Sequence, residues 1–136
     1  GEFNIINPSG YVAPLVGREY HYGILDCQSI VADYYKDKFN ITISTEPHPP
    51  EGWWDKGENR FFDGYIAAGF IVVDKPKAGD VVFMRVGSSQ VANHIGVLLE
   101  DGSILHHQYM KLSSKDVYGG WYRKHTVYFM RHRSLI

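Results

Sequence analysis

The sequence predicts an α+β fold, with N-terminal helices packed on a small antiparallel sheet. Apolar residues recur at helical spacing in the first half of the chain, whereas the second half breaks into short runs of β-forming residues. Between two of those runs stands Asp101-Gly102, a strong hairpin-turn signal. At 136 residues the chain has the size of one domain, enough to bury a core without disulfide or metal staples.

Taken in order, Gly1-Glu2-Phe3 reads as a cloning scar and residues 4–136 as a single domain. Residues 4–19, with two prolines and two glycines, read as an irregular arm. From Asp26 the texture changes. Cys27, Ile30, Val31, Tyr34 and Tyr35 form the apolar face of a helix ending near Phe39, with Asp26 as its N-cap. Pro47, Pro49, Pro50 and Gly52 followed by Trp53-Trp54 predict a loop with an aromatic anchor. A short helix is expected over Arg60–Ala68, stopped by Gly69. Strands are expected over Val81–Val86, His94–Leu99, Ile104–His107 and Thr126–Arg131.

Composition narrows the function classes. With 44% hydrophobic and 21% charged residues the chain is not a disordered one. A formal net charge of -1 makes no electrostatic case for nucleic acid, and no apolar run approaches the roughly 18 residues of a membrane span. No nucleic-acid partner and no membrane insertion are therefore expected. One cysteine excludes an intrachain disulfide and leaves the redox compartment unread. The sequence has no GxSxG, no phosphate-cradling glycine loop and no dinucleotide fingerprint, so no cofactor is assigned. His106-His107 lacks the HExxH or paired-cysteine spacing of a zinc site, so no metal is assigned either. The cations Arg123, Lys124, Arg131 and Arg133 read most simply as a solvated face.

A nucleophile system can be assembled from what remains. A thiol reacts as thiolate, and a helix N-terminus or a neighbouring imidazolium lowers its pKa. Cys27 stands at a predicted helix start. His94 opens a predicted strand, from which its ring can project towards that helix. His106 lies twelve residues on, across the Asp-Gly hairpin, where a cross-strand neighbour can orient the base. A lone helical cysteine is more often plain core, and seven histidines make chance pairings common, so each feature is weak by itself.

The stretch from Tyr20 to Cys27 (Tyr-His-Tyr-Gly-Ile-Leu-Asp-Cys) resembles the tyrosine-x-tryptophan-glycine…aspartate-cysteine block of the NlpC/p60 cysteine peptidases. Gly79-Asp80-Val81-Val82-Phe83 resembles that family's Gly-Asp strand start. His94-Ile95-Gly96-Val97 resembles its His-Val-Gly-Ile block, and Ile104-Leu105-His106-His107 falls where its second histidine follows. The runs over residues 8–13, Gly52-Trp53-Trp54 and Asp116–Trp121 extend the likeness to the C-terminal domain of the phage tail-assembly protein K family. Members of that family often carry an N-terminal metalloprotease-like domain as well.

The resemblance implies a papain-like fold and a Cys-His-His hydrolase. Cys27 would be the nucleophile, His94 the general base, His106 the orienting third member, and Tyr20 an oxyanion donor beside the backbone N–H of Cys27. His107 is the alternative to His106 if the strand register slips by one. Tyr22 stands where the family has tryptophan, and the Tyr20–Cys27 segment is shorter than in many members. The implied partners are the peptide stem of bacterial peptidoglycan, cut between D-glutamate and diaminopimelate in many relatives, and other phage tail-tip proteins. The implied location is the virion tail tip, made in the host cytoplasm and acting in the periplasm. Two other readings fit the same residues: a structural tail-assembly component without catalysis, and a protease that matures tail proteins. Trp53, Trp54 and Trp121 are expected as core anchors before groove walls.

Overall fold

The computed structural model describes residues 15–44 and 53–136. The expectations for residues 1–14 and for the proline-rich loop up to Gly52 lie outside them.

Helix α1 spans Cys27–Phe39. Asp26 caps it reciprocally with Ser29: the Asp26 carboxylate accepts from Ser29 N–H at 3.0 Å, and Ser29 Oγ accepts from Asp26 N–H at 2.7 Å. At the other end Asn40 takes the left-handed conformation (φ 56°) that lets its N–H return to Lys36 O, with Lys36 and Lys38 at the negative end of the dipole. Ile30, Val31 and Tyr35 are fully buried, so the apolar face read from the sequence is the packed one. A 3-10 turn at Trp53–Lys56 leads to α2, Arg60–Ala67, after which Gly69 (φ 96°) turns the chain.

Six antiparallel strands follow: β1 Phe70–Val73, β2 Val81–Met84, β3 His94–Leu98, β4 Ser103–His106, β5 Ser114–Val117 and β6 Thr126–His132. Helix α3, Gly120–His125, runs directly into β6. The sheet order is β1-β6-β2-β3-β4-β5. Four strands match their predicted runs to within two residues at either end. The edge strands β1 and β5 and helix α3 were not predicted.

The central strands are covered on both faces. Val81, Phe83, Ile95, Val97, Leu105 and Met130 join Ile30, Val31 and Tyr35 of α1 in the main core. Val82, Met84, Ile104 and Tyr118 form a smaller cluster on the other side. That is why β2 reads as a continuous apolar run and not as an alternating one.

The Gly79-Asp80 pair turns out to be structural. Asp80 is fully buried and accepts from Arg131 Nε at 2.7 Å, Arg131 Nη2 at 2.8 Å and Lys77 N–H at 2.8 Å. Gly79 O accepts the Tyr35 hydroxyl of α1, and Gly79 N–H donates to Leu98 O at 2.7 Å. One dipeptide thus ties together α1, β3 and β6. Arg131 is therefore not part of a solvated face, and Arg123 lies over the Tyr118 ring at 5.1 Å. Both are partnered because β6 and α3 turn these long side chains back onto the fold.

Candidate active site

The segment before α1 holds Cys27 in place. His21 and Leu25 bond across a tight loop in both directions, at 2.8 and 2.7 Å. Gly23, at φ 83°, donates its N–H to the second Asp26 carboxylate oxygen at 2.7 Å. Asp26 is thereby buried and bonded on both oxygens, which fixes Cys27 as the first residue of the helix. Arg18, paired with Asp33 of α1 at 2.8 Å, anchors the same segment.

His94 and His106 come from adjacent strands. The register sets His106 opposite Gly96, so His94 is its diagonal and not its direct neighbour. Gly96 leaves room for the close approach of β4: a Cβ there would stand 2.8 Å from Ile104 and 2.9 Å from Leu105 O. His94 Nε2 lies 2.9 Å from His106 Nδ1, with the rings edge to face. His106 Nε2 lies 2.7 Å from Asp116 Oδ2, and His106 is completely buried. The register does not slip. His107 faces the other way, its Nε2 donating to Lys111 O at 2.8 Å and its ring meeting Tyr20 edge-on at 5.4 Å.

Cys27, His94, His107 and Tyr20 line one cavity of about 560 Å³, whose walls include Tyr22, Trp53, Trp54, Tyr109 and Trp121. This volume lies within the range of small-ligand sites. His106 supports His94 from behind. Trp53 is both core and wall, buried against Phe61 and Trp54, whereas Trp121 is 45% exposed and stacks on His125. Among the described residues Lys111 is the only lysine or arginine in the lining. The 15% aromatic content therefore serves core and cavity together.

The electrostatics correct one expectation. The helix start was expected to lower the Cys27 pKa. Burial instead pushes the thiol up to about 12, helped by the Asp26 carboxylate and opposed by the backbone N–H groups of Ile95, Cys27 and Gln28. The residue that caps the helix is an anion beside the sulfur, and with desolvation it outweighs the dipole. Burial and the neighbouring His106 and His107 hold His94 down to about 3. Both shifts favour a neutral thiol beside a neutral imidazole. Among the described residues no hydrogen bond joins the Cys27 sulfur to His94. The Ile95 N–H that faces the sulfur nevertheless sets it next to the start of β3.

Asp116 was not singled out as a site residue. Its strand, Ser114-Lys115-Asp116-Val117, has one apolar residue and an edge position, so hydrophobic periodicity gave no signal. The trace that was there is the spacing of Ser114 and Asp116, two polar residues on one face.

Comparison with known proteins gives the family. The model of the NlpC/P60 family matches residues 17–131, which hold Tyr20, Cys27, His94 and His106. The chain belongs to the NlpC/P60 family. Its curated relatives include tail tip assembly protein K of Escherichia phage N15, 31% identical over 99% of this chain and 56% of that protein. Tail tip assembly protein K of Escherichia phage lambda is 32% identical over 90% of this chain and 61% of that protein. This NlpC/P60 chain thus spans little more than half the length of these relatives. The NlpC/p60 domain of the peptidoglycan hydrolase SagA shares the fold, with a TM-score of 0.54 at 18% identity, over 86% of this chain and 89% of that one.

Proposed function

We propose that this domain is a cysteine hydrolase that cleaves an amide in the peptide stem of peptidoglycan as part of a phage tail. The observation that carries the reading is the convergence of Cys27, at a capped helix start, and His94, bonded from behind by His106, on one aromatic-walled cavity. Family membership and the tail-protein relatives support it.

In this mechanism His94 takes the thiol proton as Cys27 Sγ attacks the scissile carbonyl, because the resting pair is neutral. The carbonyl oxygen becomes an oxyanion held by the backbone N–H of Cys27 and the Tyr20 hydroxyl, donors each worth about 3 kcal/mol in well-studied enzymes. His94 returns the proton to the departing amine, leaving a thioester on Cys27. It then removes a proton from water, whose oxygen attacks the thioester and releases the acid and the thiol. The cavity walls suit an extended peptide with apolar stems, and Lys111 suits a substrate carboxylate. The bond to test first is D-glutamyl–diaminopimelate, opened locally as phage DNA is delivered through the periplasm.

The test is digestion of purified peptidoglycan by the wild type and by Cys27→Ala, with mass spectrometry of the fragments. New stem-peptide products from the wild type alone are expected, and their masses name the bond. Intact stems with a clipped tail protein would replace the wall by a tail protein as substrate. Intact stems and tail proteins, with Cys27→Ala phage assembling and infecting normally, would leave an assembly component that keeps the fold without the chemistry.

A further inference from the structure

Beyond the cysteine and the two histidines, the hydrogen-bond chain has a fourth member, and its direction can be worked out from donors and acceptors. An ionised carboxylate only accepts hydrogen bonds. Asp116 Oδ2 receives three: Ser114 Oγ at 2.8 Å, the Tyr122 hydroxyl at 3.2 Å and His106 Nε2 at 2.7 Å. His106 Nε2 must therefore carry a proton. His106 is completely buried, and that burial holds its pKa below the ordinary histidine range despite the pull of Asp116, so the ring is neutral. Its Nδ1 is then a bare acceptor, and the 2.9 Å contact requires His94 to donate from Nε2. That leaves the lone pair of His94 on Nδ1.

We infer that Asp116 is a positioning residue which, through His106, fixes His94 in the Nε2–H tautomer and so presents its Nδ1 as the base. The inference rests on the proposed role of His94. It adds an acid on the outer strand β5 to a site otherwise built from α1, β3 and β4. Asp116 never meets the substrate in this scheme. The ring of Tyr122, edge-on to His106 at 5.1 Å, closes the other side of the relay and keeps water from offering His106 a competing partner.

The chain of bonds would reverse without the carboxylate. The Ser114 and Tyr122 hydroxyls donate to the same carboxylate oxygen as His106 Nε2, and without it that nitrogen is the acceptor beside them. By donating there they would move the His106 proton to Nδ1, and His94 would have to accept on Nε2 and carry its own proton on Nδ1. An amide at position 116 can still offer an oxygen to the same three donors.

Long-range nitrogen–proton NMR of the histidine rings in the intact domain tests this without any substrate. Expected are Nε2–H forms for both His94 and His106 in the wild type, Nδ1–H forms in Asp116→Ala, and wild-type tautomers restored in Asp116→Asn. On a cleaved peptide substrate, Asp116→Ala should lower kcat about 100-fold with KM within about twofold, and Asp116→Asn should recover most of it. A wild-type spectrum with the His94 proton on Nδ1 overturns the inference whether or not any variant folds. So does an Asp116→Ala spectrum identical to wild type. The expected tautomers in a domain that cuts no peptidoglycan would uphold the relay and remove only the substrate.

Discussion

Cys27 sits where a helix dipole favours a thiolate, yet desolvation of the sulfur and then the capping carboxylate of Asp26 push its pKa up. His94 is equally averse to its charged form. A preformed thiolate–imidazolium pair is thereby disfavoured in the free domain, and the proposed mechanism leaves deprotonation to the moment of attack, when a developing oxyanion supplies a reason for the proton to move. The ultraviolet thiolate band of Cys27, taken as the difference from Cys27→Ala, should be missing at neutral pH. It should grow in only above the ordinary thiol value of 9. A full thiolate band at neutral pH would sink the concerted scheme and restore the ion pair.

Elements meet at Asp80. This buried carboxylate joins β2 to β6 through Arg131, and the adjoining Gly79 joins the same corner to α1 and β3. The Arg131 side chain is 13% exposed, so loss of its partner would strand a charge that water reaches poorly. Asp80→Asn should cost about 3 kcal/mol in urea unfolding. Asp80→Asn combined with Arg131→Met should be more stable than Asp80→Asn alone. A cost below about 0.5 kcal/mol, the size of an exposed pair, would show that the corner is held by packing instead. The Gly-Asp motif thus stands apart from the chemistry, although it travels with the catalytic-looking blocks in the sequence.

At the scale of the whole molecule, the site sets how stability answers to acid. His94, His106 and His107 all have folded-state pKa values pushed down, by burial first in each case. As pH falls below the ordinary value of 6.5, the unfolded chain takes up protons that the folded chain refuses. Stability is therefore full above 6.5 and is lost as pH falls, for His94 down to about 3. Each such histidine adds a slope of up to about 1.4 kcal/mol per pH unit. Urea unfolding of the wild type between pH 6.5 and 5 should show this decline before most carboxylates titrate. His94→Gln, which has no proton to gain, should show a shallower one. Equal slopes would mean that the buried ring is charged in the folded domain.

Local features were legible in the chain alone. Asp26 followed by apolar residues at helical spacing specified α1 and put Cys27 at its start, and Asp101-Gly102 specified the hairpin that brings β3 and β4 together. Period and turn chemistry are properties of neighbouring residues, so they can be read in one dimension. The edge strands β1 and β5 and helix α3 were not legible, because short elements take their stability from the partner they dock on. That His106 and not its alternative His107 meets His94 is a matter of register. The contact of Asp116 with His106 needed the pairing of Ile104 with Asp116, which carries the carboxylate to the far side of His106. The upward push on the Cys27 pKa could not be read in one dimension, since the desolvation that opposes a helix dipole belongs to the packed molecule and not to any stretch of its chain.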